Sequence, residues 1–193
     1  MDLTHGSHDQ KISRAKKMML WFGIASMVMM FAGLTSAYVV SKSRPDWLVG
    51  FDLPLSFYWS TGVIIISSLT LIFAKKAIAE GNRSSASLFF LVTLGLGITF
   101  VVLQLDSFSS IISAGYYFTG SESSITTSFI YVIILAHLVH LAAGMIVLLV
   151  VIYNHFKQRY KPGQMLGLEL GATFWHFLDL LWVYLFVFLY FFK

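Results

Sequence analysis

Five long apolar runs constrain this chain more than any other feature of its sequence. A transmembrane helix needs roughly 20 consecutive apolar residues, and each run reaches that length. Hydrophobic residues make up 58% of the chain and charged residues 11%, whereas about one quarter of an ordinary soluble domain is charged. The runs are continuous rather than alternating, which favours helices over a membrane β-barrel. We therefore predict an all-α, polytopic membrane bundle of five transmembrane helices. The predicted spans are about 18–40, 54–74, 86–105, 125–153 and 171–192.

The distribution of lysine and arginine predicts how the spans are oriented. Cytoplasmic connections are enriched in these residues. Ten of them fall in the N-terminal tail and in the connections after the second and fourth spans, and three fall on the opposite side. This distribution predicts a cytoplasmic N-terminus and an outward C-terminus, which is periplasmic in a bacterial cell. The net charge of +4 is therefore a topology signal, compatible with contact to anionic lipid, and it is no evidence for binding to nucleic acid.

The connections are short, so we predict one transmembrane domain at 18–193, preceded by a cytoplasmic tail at 1–17. Gly81 and Asn82 interrupt a charged stretch and predict a tight turn between the second and third helices. The segment 107–124 is predicted to be the longest polar connection, on the outward side. The chain contains no cysteine, which excludes disulfides, thiolate metal sites and Cys-attached haem.

Small residues recur four apart in the first and fourth predicted spans. Such a strip usually marks close contact with another helix, either within the chain or in a partner. In the fourth span, Ala136, His140 and Gly144 share one face. In the first span, the strip is formed by Ala32, Gly33, Ser36 and Ala37. This span is too long for the apolar core of a signal peptide, about 7–15 residues, although the small residues around Ala37 leave cleavage there open.

Four ionisable side chains lie inside the predicted spans: His137 and His140 in the fourth, and His176 and Asp179 in the fifth. Residues three apart lie on the same side of a helix, so each pair shares a face. Glu169 lies near the start of the fifth span. Ionisable groups inside a membrane are costly, and by default they indicate function.

Three interpretations of these residues compete. Histidines on facing helices could bind haem, but the histidines of the two spans lie at poorly matched depths. A proton or ion path usually contains several carboxylates, and only Asp179 lies well inside a span. The spacing favours a structural contact, in which imidazole and carboxylate hydrogen-bond each other or neighbouring backbone and fix the helix register. Trp47, Trp59 and Trp175 lie near span ends and are interpreted as interfacial anchors.

Several stretches together resemble a known family. The segment FWHFLDLLWVYLFVFLYF resembles the C-terminal signature of haem-copper oxidase subunit III, the cytochrome c oxidase subunit 3 family. As in that family, a glutamate, Glu169, precedes the tryptophan of the Trp-His-Phe core by six residues. The segment AHLVHLAAG is similar to the family's His-x-x-His-x-x-x-Gly stretch, and LGLGITFVVLQ is similar to its helix that ends in glutamine. The first predicted span, LWFGIASMVMMFAG, resembles the family's first conserved helix.

The resemblance extends over roughly 20–192, with two departures. The family often has Ser-Glu where this chain has Ser26-Met27. Long family members have seven helices, so the five predicted here resemble the short bacterial form that lacks the first two. The matched positions that carry the resemblance, and that it implies to be structural or partner-contact residues, are His137, His140, Gly144, Glu169, Trp175, His176 and Asp179.

The resemblance implies a non-catalytic subunit of an oxidoreductase and translocase complex in the bacterial inner membrane. Haem and copper would belong to subunits I and II, and this chain would carry no cofactor. It would pack on subunit I, bind phospholipid and support proton uptake and turnover stability, with a larger respiratory supercomplex as a further setting. The corresponding subunit of a quinol oxidase, or a nitric-oxide-reductase accessory protein of the same family, is an alternative. A stand-alone membrane haem or transport protein is an alternative of a different class.

Overall fold

The structure is a computed structural model that describes residues 8–45, 47–48, 53–120, 124–160 and 164–192. Within these residues the chain forms five α-helices, each long and apolar enough to cross a membrane. This confirms the predicted all-α, five-helix membrane fold. The helices in chain order are α1 (His8–Ser41), α2 (Leu55–Ala79), α3 (Arg83–Ser113), α4 (Ile125–Phe156) and α5 (Leu166–Phe192).

Two helices extend beyond the predicted apolar spans. Residues 8–17, which we assigned to the N-terminal tail, form the beginning of α1. The predicted start of the polar connection, residue 107, was wrong, because α3 continues to Ser113. Serines can occupy this part of the helix because their hydroxyls donate to helix carbonyl oxygens. Ser107 donates to the Leu103 oxygen at 2.8 Å, and Ser113 donates to the Ser110 oxygen at 2.9 Å. Such bonds satisfy polar groups without leaving the helix.

Local signals fix two of the helix starts. Gly81 adopts a φ of +79°, which a glycine tolerates at little cost, and it forms the predicted turn between α2 and α3. Asn82 then caps α3, where its side-chain oxygen accepts the Ser85 N–H at 3.2 Å. At the start of α4, the Ser124 and Thr127 side chains each accept the other's backbone N–H, which is a capping box.

The helices are arranged as a four-helix bundle with one outer helix. In the bundle, α2 packs against α3 and α5, and α4 also packs against α3 and α5. The outer helix α1 packs against α4 and α5. Consequently α5 has the largest share of its most apolar stretch buried, 44%, and α1 has the smallest, 17%.

Large aromatic side chains fill the interior of the bundle. They include Phe57 on α2, Phe90 and Phe100 on α3, and two tryptophans on α5, Trp175 and Trp182. All five side chains are essentially buried. The outer faces carry Leu, Ile, Val, Met and Phe, as expected where lipid rather than water is the solvent.

Candidate functional site

Trp175 lies at the centre of the polar contacts in the bundle. Its side chain is 1% exposed, and its indole Nε1 donates to the Ser67 hydroxyl on α2 at 3.1 Å. The interpretation of Trp175 as an interfacial anchor is therefore wrong. The reason is that Trp175 faces α2 and the interior of the bundle, roughly 14 Å beyond the start of α5 at Leu166. Trp59, in contrast, is 66% exposed.

Two glycines on neighbouring helices make room for the Trp175 ring. A Cβ atom at Gly97 on α3 would lie 3.0 Å from Trp175 Cη2 and 2.8 Å from Met145 Sδ. A Cβ atom at Gly144 on α4 would lie 2.6 Å from Leu178 Cδ1 and 3.6 Å from Trp175 Cε3. At distances under 3 Å a neighbouring atom would have to shift to make room for a side chain. At Gly144 a larger residue would therefore displace Leu178 and press on the Trp175 ring.

A second polar layer lies one heptad further along α5. Trp182 Nε1 donates to Thr61 Oγ1 on α2 at 3.1 Å, and its ring meets the Phe100 ring edge-on with 5.0 Å between centroids. Nearby, Gln104 on α3 donates to the Ser60 hydroxyl at 2.8 Å. The two layers together fix the register of antiparallel α2 and α5, and they connect both helices to α3.

The two histidines of α4 occupy different environments, although they share a face in sequence. His137 is completely buried, with its ring 5.1 Å from the Trp182 ring and 6.0 Å from the Phe100 ring. Neither of its ring nitrogens has a hydrogen-bond partner among the described residues. His140 is partly buried, its Nδ1 lies 2.7 Å from the Ala136 carbonyl oxygen, and its ring meets Phe31 of α1 edge-on. His137 thus belongs to the core, whereas His140 contacts the outer helix.

His176 and Asp179 line one groove between α2 and α5. His176 Nδ1 lies 2.6 Å from the Ser68 hydroxyl on α2, so the imidazole connects two helices. Asp179 is 4% exposed, and neither carboxyl oxygen has a hydrogen-bond partner among the described residues. The structure brings the two predicted residues to the same groove, but the hydrogen-bond partner of His176 is Ser68 rather than Asp179.

Glu169 lies in the first turn of α5 and contacts the outer helix. Its carboxylate is 3.4 Å from the Lys17 ammonium of α1. Lys75 of α2 and Trp21 of α1 line the same opening, whose volume is about 220 Å³. The Lys17 and Glu169 side chains are both substantially exposed, and exposed ion pairs stabilise a fold by about 0–1 kcal/mol.

In the small-residue strip of α1, Gly33 faces away from the other helices of the described chain. All four members are exposed, and a Cβ atom at Gly33 would meet nothing within 4 Å. Ala32 borders an apolar groove of about 340 Å³ between α1 and α5. At the edge of this groove, Thr35 Oγ1 lies 3.1 Å from the Tyr184 hydroxyl and connects α1 to α5. The strip members are Ala32, Gly33, Ser36 and Ala37.

Among the described residues, no group of three or more His, Asp or Glu side chains is placed to bind a metal ion. The fold and its contacts define a polytopic membrane protein whose intramembrane polar groups largely join helices to one another. The family model for cytochrome c oxidase subunit III matches residues 2–193. The chain therefore belongs to the cytochrome c oxidase subunit III family, as its motifs predicted.

Curated relatives agree with the family assignment. The chain is 28% identical over 198 residues to cytochrome c oxidase subunit 3 of Loxodonta africana, a match that covers 96% of this chain and 72% of the relative. The protein of the same name from Papio hamadryas is 26% identical over 201 residues, with the same coverage. These relatives are subunits of cytochrome c oxidase, a multi-subunit membrane oxidoreductase.

The sequence contained one signal that we did not use. On α2, Ser60-Thr61 is followed seven residues later by Ser67-Ser68, and on α5 Trp175 is followed seven residues later by Trp182. A spacing of seven returns to nearly the same helix face. Two matched heptads on separate spans indicate facing helices, and the structure pairs them through the Trp175–Ser67 and Trp182–Thr61 hydrogen bonds.

Proposed function

We propose that this chain is subunit III of a proton-pumping terminal oxidase of the cytochrome c oxidase type and that it is itself non-catalytic. In this proposal it packs on subunit I, binds phospholipid, and supports proton uptake and turnover stability while haem and copper reside in subunits I and II. Family membership over residues 2–193 supports the assignment to the complex.

One structural observation carries the proposed accessory role. Three side chains on α5 are engaged with hydroxyls on α2: the Trp175 and Trp182 indoles donate to Ser67 and Thr61, and the His176 imidazole hydrogen-bonds with Ser68. Side chains committed to such contacts fix helix register. The bundle is therefore built as a rigid packing unit, which suits a subunit that stabilises its neighbours.

A pull-down tests this function directly. The chain is tagged, the complex is purified in a mild detergent, and the co-purifying subunits are identified by mass spectrometry. We expect subunits I and II with their haem and copper, and no Soret band in the chain after it is separated from them. Isolation without any oxidase subunit would contradict the proposal. A Soret band in the separated chain that disappears in His140→Ala or His176→Ala would also contradict it.

The proposed setting is a bacterial inner membrane with the N-terminus in the cytoplasm and the C-terminus outside. The charge distribution supports this orientation. Two of the counted residues, Lys161 and Lys193, lie outside the described residues. An alkaline phosphatase fused to the C-terminus should be active, since that enzyme matures only outside the cytoplasm. An inactive fusion, with activity from a fusion in the α2–α3 turn, would reverse the orientation.

A further inference from the structure

Asp179 lies at the middle of α5. It is 13 residues from each end of the helix, which is about 20 Å along the helix axis. The hydrocarbon core of a bilayer is about 30 Å thick. An α5 helix centred in the bilayer, in either orientation, therefore places the carboxyl group near the midplane, where lipid offers it no hydrogen-bonding group.

This carboxyl group is buried and unsatisfied within the described chain. Asp179 is 4% exposed, and both of its oxygens lack a hydrogen-bond partner among the described residues. The Ser68 hydroxyl is the nearest polar group to Asp179 in this groove, but it lies outside hydrogen-bond geometry to the carboxyl group and makes its short contact, 2.6 Å, to His176 Nδ1. A buried polar group without a partner is costly, and intramembrane carboxyls are found paired.

The groove that contains Asp179 opens away from the bundle. Its volume is about 370 Å³, and its rim includes Ile65 and Leu69 of α2 and Leu180 of α5. These three side chains are 46%, 50% and 69% exposed. A groove between two helices that is open along its rim has the form that receives the side-chain ridge of a third helix.

The depth of Asp179 decides what can satisfy it. Phospholipid headgroups lie at the surface of the hydrocarbon core, about 15 Å from the midplane, and acyl chains carry no donor. A transmembrane helix of another subunit can present Ser, Thr, Asn, Gln or Trp at this depth, and such side chains form hydrogen bonds between membrane helices.

We propose that the α2–α5 groove receives a transmembrane helix of a neighbouring oxidase subunit, and that a donor side chain on that helix hydrogen-bonds Asp179 near the bilayer midplane. The inference rests on the proposed function, because it requires the chain to be assembled with other subunits. It assigns to Asp179 a role in recognition, and to the groove rim the contact with the partner helix. On the other side of Leu180, the apolar groove bordered by Ala32 extends this surface across α5 towards α1.

Photocrosslinking in the purified complex tests the position of the partner. A photoreactive benzoylphenylalanine is placed at position Leu69 or Leu180, on the groove rim, and for comparison at Ile98, which is 51% exposed near the middle of α3. We expect both rim positions to crosslink to a transmembrane segment of another oxidase subunit, at least threefold more than Ile98 does. Crosslinks to lipid alone from the rim, or equal subunit crosslinks from Ile98, would overturn the proposal.

Variants of Asp179 test the hydrogen bond. Measured polar contacts between membrane helices correspond to about a three- to twentyfold change in an equilibrium. Asp179→Leu should increase release of this chain from the detergent-purified complex by that factor. Asp179→Asn, which retains a carbonyl acceptor, should stay within about twofold of the unaltered protein, and Glu169→Gln is the matched carboxylate control on the same helix. Equal retention of the Asp179→Leu and unaltered chains would overturn the assignment.

Different outcomes would refute the docking site and the proposed function. A chain that co-purifies with subunits I and II but crosslinks only to lipid from the groove refutes the docking site and leaves the proposed function intact. A chain that co-purifies with no oxidase subunit refutes the proposed function itself. The crosslinking positions are exposed, so this measurement does not depend on whether Asp179→Leu folds.

Discussion

Three glycines of the four-helix bundle, Gly97, Gly144 and Gly171, lie beneath bulky side chains of a neighbouring helix, whereas the glycine of the α1 strip lies in the open, as do Gly62 on α2 and Gly95 on α3. A Cβ atom at Gly144 would be 2.6 Å from Leu178, and one at Gly171 would be 2.8 Å from Val151, while one at Gly33 would meet nothing within 4 Å. Small residues in membrane helices serve close packing. At Gly144 and Gly171 that packing is completed within the chain, and at Gly33 it is left to lipid or to another subunit.

Polar contacts differ between the two regions in the same way. In the bundle, buried indole groups reach hydroxyls on another helix, as in the Trp175–Ser67 pair. Between α1 and α5, the polar contacts of the described chain include the partly buried Thr35–Tyr184 pair and the exposed Lys17–Glu169 ion pair. This difference predicts that helices α2, α3, α4 and α5 form the more stable unit and that the polar contacts of α1 are weaker.

The largest expected effect comes from filling the space at Gly144. Gly144→Leu should destabilise the chain by about 3 kcal/mol, the upper end of the usual overpacking cost of about 1–3 kcal/mol, because Leu178 and Trp175 would both have to move. The measurement is the thermal midpoint of the full chain in mild detergent. The matched control is Gly33→Leu on α1, which should stay within about 0.5 kcal/mol, as is usual for substitutions that meet no structural constraint. Equal losses from the two variants would break the distinction between bundle and outer helix.

The next effect concerns the buried indole. Ser67→Ala leaves the Trp175 N–H without its acceptor, and an unsatisfied buried donor costs about 1–3 kcal/mol. The same thermal measurement checks it. Ser110→Ala, on the exposed end of α3, is the control and should have little effect. If Ser67→Ala were neutral, a second acceptor would have to satisfy the indole, and Trp175 would not hold α2 in register.

A smaller effect is expected where α1 meets α5. The coupling between Thr35 and Tyr184 should be about 0.6 kcal/mol, the average for polar contacts between membrane helices. A double-mutant cycle with Thr35→Val and Tyr184→Phe measures it. A coupling well above about 1.7 kcal/mol, the largest of those measured contacts, would show that α1 is held as firmly as the bundle helices.

The smallest effect is expected at the Lys17–Glu169 ion pair. Because both side chains are substantially exposed, Lys17→Gln should change stability by about 0–1 kcal/mol. The remaining difference should shrink further as salt is raised, since exposed charges are screened. Thermal midpoints at low and high salt provide the measurement. A large effect that persists at high salt would contradict the view of this pair as a surface contact.

The five helices could be predicted because each apolar run is long enough to specify a span by itself. The burial of Trp175 could not be predicted, since it depends on which face of α5 meets α2, α3 and α4. The Trp175–Ser67 contact joins residues 108 positions apart, so it depends on how two helices align in the bundle. The shared face of His176 and Asp179 followed from their spacing, but the bond from His176 to Ser68 required the same alignment.

The small strip on α1 illustrates a different limit. Its spacing predicts that a helix can approach closely, and the sequence contains nothing that distinguishes an internal partner from an external one. Ala32 and Gly33 are exposed, so within the described chain no helix packs closely on the strip at these positions. The occupant of the strip depends on a surface that belongs to another molecule.

We propose that the intramembrane polar side chains of this subunit hold helices and subunits together and do not carry protons or electrons. The most direct test is the initial rate of oxygen consumption, with proton translocation measured in parallel, in the fully assembled oxidase that carries Asp179→Asn. We expect an initial rate and proton translocation equal to those of the unaltered complex, with unchanged haem spectra. A fully assembled Asp179→Asn complex that has lost initial electron transfer would contradict it and would make the carboxyl group a proton carrier.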